Sequence, residues 1–126
     1  MKYRVIIFLA AIILSACARD EENNEPVDSS NDALWLVNEG NFLNVNASLF
    51  TYNPVNMKLE KEVFSRVNDR PLGDVFQSVF FDGDRAYLVI NNSGKIEVVN
   101  KSDFKSITTI DDLPSPRFIA KANNKF

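Results

Sequence analysis

Hydrophobic positions fall into three regimes along the chain. They form one unbroken apolar run from Val5 to Leu14 and nearly vanish over residues 18–32. From Ala33 onward they return as short stretches divided by Asn, Asp, Gly, Ser and Pro. The last regime is rich in β-branched and aromatic residues and carries no convincing helical period, so it predicts strands and turns. Strands are expected near residues 33–38, 47–53, 58–64, 75–81, 85–91, 95–100, 104–110 and 117–122. The fold class implied is all-β, a succession of antiparallel meanders.

The connections between these strands differ in character. Asp82, Gly83 and Asp84 mark a tight hairpin, and residues 53–56 and 100–103 are equally short and polar. Residues 39–46, 67–74 and 111–116 are longer. In an up-and-down meander alternate connections lie at opposite ends, which gathers the longer loops with residues 91–94 at one end. An internal repeat accompanies this layout: Trp35, Leu36 and Val37 recur as Tyr87, Leu88 and Val89, and residues 49–53 recur as 96–100. Residues 82–85 recur more weakly as 122–125. A period of 40 to 52 residues with four strands per unit suits the blades of a β-propeller.

The opening apolar run follows Lys2 and Arg4 and ends at the small residues Ser15 and Ala16, the layout of a signal peptide. Ten apolar residues fall well short of the roughly 20 that span a bilayer. Leu14, Ser15, Ala16 and Cys17 resemble the lipobox of bacterial lipoproteins, which implies cleavage before Cys17 and acylation of its thiol, with palmitate among the chains. Several acyl chains satisfy the need for two anchoring signals. Residues 1–16 thus read as the signal peptide, residues 17–32 as a lipidated acidic tether lacking buriable side chains, and residues 33–126 as the folded part. Asp20, Glu21 and Glu22 resemble the acidic run that sends some Gram-negative lipoproteins to the cell surface, so the expected location is the outer membrane, facing outward.

Charge narrows the function classes. Cleavage removes Lys2 and Arg4 and leaves 12 basic against 17 acidic residues, a net charge of −5. Basic residues are scattered among acids, which argues against nucleic acid as a partner. There is no histidine, and the single cysteine is assigned to lipid. The commonest general base, the usual transition-metal ligands and a thiol nucleophile are therefore missing. No enzyme, cofactor or metal site is expected, and neither Asp82 with Asp84 nor Asp111 with Asp112 matches a calcium loop. Recognition remains: Glu39, Asn41, Asn91, Asn92 and Arg117 can direct hydrogen bonds, and Phe42 offers an apolar surface at or beside the longer loops. For the asparagines turn formation is the competing role, for Phe42 core packing, and for Arg117 an ion pair.

The run of Asn38, Glu39, Gly40 and Asn41, then residues 46–49 and 70–75, resembles the opening of YncE-like propeller lipoproteins of Bacteroidetes-type envelopes. Residues 91–98 and 115–117 extend the likeness. The resemblance implies a seven-bladed ring, of which about two blades are present, so a truncated or partial propeller is expected. The first unit also lacks an inner strand before Ala33. Some such lipoproteins capture a cobamide and pass it to a TonB-dependent transporter, which gives the leading functional expectation. An adhesion or scaffold propeller binding protein or glycan, and a fragment without function, are the alternatives.

Overall fold

The computed structural model describes residues 33–123 together with Lys125 and Phe126. The expected signal peptide, the tether and Cys17 lie outside the described residues. Two antiparallel sheets form. The first contains β1 (Leu34–Asn38), β2 (Ser48–Asn53) and β3 (Lys58–Glu60), in that order. A short helix, α1 (Val63–Asn68), leads to the second, which runs β4 (Phe76–Asp82), β5 (Arg85–Ile90), β6 (Lys95–Asn100) and β7 (Ser106–Ile110). The described chain is mostly β, as the pattern predicts.

Cross-strand register reproduces the sequence repeat. Val37 lies opposite Leu49 in the first sheet, and their counterparts Val89 and Ile96 lie opposite each other in the second. Trp35 with Thr51 matches Tyr87 with Val98 in the same way. Because side chains alternate along a strand, matched registers present matched faces. One face of the first sheet, carrying Trp35, Leu49 and Thr51, packs against the face of the second that carries Phe81, Ala86, Leu88 and Val99. Leu49, Leu88 and Val99 are fully buried there. Trp35 meets the Phe81 ring edge-on at 5.0 Å and the Phe104 ring at 4.9 Å. Phe64 of α1, Leu72 and Phe76 complete the core.

Two expectations fail. The strand expected over residues 58–64 stops at Glu60, and α1 replaces its end. Val63, Phe64 and Val67 sit at helical spacing, but six residues are too few to display a period. Glu62 and Asp69 flank the helix in left-handed conformation, and the Asn68 amide donates to the Phe64 carbonyl at 2.9 Å, closing the last turn. The strand expected over residues 117–122 does not form. That segment carries only a bridge between Ala122 and Lys125 and lies beside β4, where Ser78 Oγ donates to the Arg117 carbonyl and Lys121 pairs with Asp82. Among the described residues its backbone finds no neighbouring strand.

Candidate recognition end of the two sheets

The longer loops meet at one end, and Asp74 joins them. Its carboxylate Oδ2 accepts the Leu43 N–H at 2.8 Å from the β1–β2 loop and the Asn92 side-chain amide at 2.6 Å from the β5–β6 turn. The Asp74 N–H donates to Ser93 Oγ at 2.9 Å, and its carbonyl accepts the Asn92 N–H at 3.2 Å. Phe76 N–H donates to the Glu39 carbonyl and Ala47 N–H to the Gly73 carbonyl, tying the first sheet to the entry of β4. The 111–116 loop joins through Leu113 N–H to the Gly94 carbonyl and through the Asn91 amide to the Pro116 carbonyl.

Close approach explains the glycines here. A Cβ on Gly73, where φ is 138°, would stand 2.8 Å from both Ile90 Cγ2 and Ser93 Oγ. One on Gly40, at φ 79°, would stand 2.6 Å from Asn46 Oδ1, the atom that accepts the Asn41 N–H. Leu43, Val45 and Val75 also hold positive φ angles of 66°, 52° and 61°. β-Branched residues pay a steric penalty in that region, and such strain persists only where surrounding contacts enforce it.

Asp74 is 4 % exposed, and its Oδ1 is buried without a hydrogen-bond partner among the described residues. Asn38 Nδ2 shares that condition. A buried acceptor with an unused oxygen costs free energy of about 1–3 kcal/mol. That unused oxygen is the chemically distinctive feature of this end.

The residues selected from sequence distribute as follows. Glu39 offers its carbonyl to Phe76 and leaves its side chain outward, Asn41 stabilises its own loop, and Phe42 is 66 % exposed rather than packed in the core. Asn91 and Asn92 use their side-chain amides within the loop cluster, so both are already engaged. Arg117 is exposed beyond the 111–116 loop, has no ion pair among the described residues, and contributes its carbonyl to Ser78.

Sequence reasoning passed over the most polar cluster of the interior. Glu97, on β6, is fully buried. Arg70 approaches its carboxylate with both guanidinium nitrogens, Ser106 and Thr109 donate hydroxyls, and Lys95 stands 3.4 Å away. Burial alone pushes this carboxyl up. The Arg70 and Ser106 hydrogen bonds and the charges of Arg70 and Lys95 overcome that push and hold it below the ordinary 4.5. Arg70 also lies over the Phe64 ring, and Asn68 bridges the Phe104 carbonyl to the Ser106 N–H, so the cluster fastens α1 to the second sheet. The signal was present in the sequence, as a lone carboxylate inside the apolar strand Ile96, Glu97, Val98, Val99.

Among the described residues no group of three or more Asp, Glu or Cys is placed to hold a metal ion, and no helix is long and apolar enough to cross a membrane. No protein-family model and no curated protein matches this chain.

Proposed function

We propose that the two sheets are neighbouring blades of a propeller, carried on a lipid-anchored chain at the outer membrane, and that their loop end recognises a ligand without transforming it. The observation that carries this reading is the convergence of the 39–47, 69–75, 91–94 and 111–116 loops on Asp74, whose buried Oδ1 retains acceptor capacity. Strained backbone at Leu43, Val45 and Val75 surrounds the same point. Cys17 supplies the anchor, and residues 18–32 supply reach from the membrane.

The ligand class follows the YncE-like resemblance: a cobamide handed on to a TonB-dependent transporter. Amide-rich corrinoid side chains suit an end that presents the exposed polar side chains of Glu39 and Arg117 beside the exposed ring of Phe42, on loops that the Asp74 cluster holds in place. Loops from two sheets alone provide few converging groups, so binding is weak, with a dissociation constant on the order of 1 mM. Calorimetry with cyanocobalamin tests this. Saturable binding that falls at least fivefold in Phe42→Ala and Arg117→Ala supports the reading, because both side chains are exposed and outside the core. The absence of saturable binding at several millimolar contradicts the ligand class, and binding indifferent to both substitutions contradicts the site.

A further inference from the structure

The two sheets differ by one strand. In the second, β5 is flanked by β4 and β6, whereas in the first its counterpart β1 pairs only with β2, and no described strand pairs with its other edge. Leu34, Leu36 and Val37 along β1 are exposed. An unpaired edge with apolar side chains is a template for an added strand.

The chain also holds a segment equivalent to the missing strand. Residues 82–85 recur as 122–125, so residues 116–122 correspond to β4. That segment forms no strand, and its Phe118 is 77 % exposed. Its own β1 lies on the other side of the second sheet: Trp35 of β1 packs on the face carrying Phe81, while Phe126 packs on Phe80 and Tyr87 of the opposite face. The acceptor edge and the donor segment of one molecule are thus separated by a four-stranded sheet. Among the described residues neither pairs with a strand, and the donor segment is held to the second sheet through side chains, Asn91 to the Pro116 carbonyl, Ser78 to the Arg117 carbonyl and Lys121 to Asp82.

We propose that residues 116–122 of one copy add as an antiparallel strand to the free edge of β1 in a second copy. The repeat fixes the register. Ser78 pairs with Val89, and Val79 with Leu88, in the β4–β5 ladder. Transferred through the repeat, Phe118 lies opposite Val37 and Ile119 opposite Leu36. Phe118 then covers Val37 on the core-side face, and Ile119 extends the outer apolar face of Leu34 and Leu36. The contact is head-to-tail: each molecule offers a donor segment and an acceptor edge, and so generates a ring or an open array rather than a two-fold dimer. This inference is independent of which ligand the loop end takes.

Paired cysteines test both contact and register. Single substitutions are placed in the full chain carrying Cys17→Ser, and variants are mixed pairwise under mild oxidation. Directly opposed residues in antiparallel strands have Cα atoms about 4.5–5.5 Å apart, within disulfide reach, whereas a one-residue slip turns the side chains to opposite faces. Val37→Cys with Phe118→Cys, and Leu36→Cys with Ile119→Cys, form covalent dimers. Val37→Cys with Ile119→Cys, and Leu36→Cys with Phe118→Cys, form at least tenfold less. Equal cross-linking in all four mixtures shows non-specific association and overturns the proposal. So does its absence in all four, or an internal disulfide in monomers of the Val37→Cys, Phe118→Cys double variant.

Discussion

Leu36 and Leu88 hold the same place in the two sheets, one residue after Trp35 and Tyr87 respectively, yet Leu36 is 40 % exposed and Leu88 fully buried. Local pattern and register are matched, so the difference comes from neighbours. The second sheet has the first sheet on one face, and Arg117 and Phe126 lie along the other. Among the described residues the first sheet is covered on one face only, and Leu34, Leu36 and Leu59 stay exposed on the other. Periodicity establishes that a strand forms and which side chains share a face. What lies against that face decides how much each contributes to stability.

Substitutions at matched positions sharpen this contrast. Leu88→Ala has the largest expected effect, about 3–4 kcal/mol in urea denaturation, because it opens a cavity between the sheets. Its counterpart Leu36→Ala costs about 1 kcal/mol, since the side chain keeps 40 % exposure and its removal leaves no enclosed cavity. Equal losses at the two positions would mean that the outer face of the first sheet is covered in solution, which strand addition at the β1 edge does not do.

Glu97→Gln follows at about 3 kcal/mol, because Arg70 and Lys95 lose their shared counter-charge inside the fold. Its counterpart in the repeat is Phe50, which needs no partner. The pH dependence has a definite sign. The folded carboxyl is held below its ordinary 4.5, so its contribution is fully present above that value and lost as pH falls through the lower folded value. Wild-type denaturation midpoints should therefore drop as pH is lowered below about 4.5, and Glu97→Gln should flatten that part of the profile. Asp74→Ala removes the acceptor of Leu43 and Asn92 and costs about 1–2 kcal/mol. Hydrogen exchange at the Leu43 amide should accelerate, whereas Val98 and Val99, central to β6, should retain their protection.

Much of the β architecture was legible because it depends on local alternation. Residues 95–100 appear as the strand expected, and the grouping of the longer loops follows from meander geometry. The helix was not legible, since Val63, Phe64 and Val67 make one amphipathic turn that reads equally well as the end of a strand. Residues 117–122 carry strand-forming side chains, but a strand needs a partner edge that no local pattern reveals. Glu39, Asn41, Phe42, Asn91 and Asn92 do lie at the loop end, although the asparagine amides serve the loops themselves. Asp74 and Glu97 were passed over because their importance lies in contacts with residues distant in the chain. Asp74 reaches back 31 positions to Leu43, and Glu97 reaches back 27 to Arg70.

The two ends of the sheets offer the most direct test of a recognition role. One end holds the loops around Asp74, and the other holds the short turns at residues 54–57, 83–84 and 101–105. In a titration with cyanocobalamin followed by amide chemical shifts, the account predicts that changes concentrate at residues 39–47, 73–75, 91–94 and 111–117 and leave the short-turn end unmoved. Changes centred on the short turns, or spread evenly along both sheets, would contradict it.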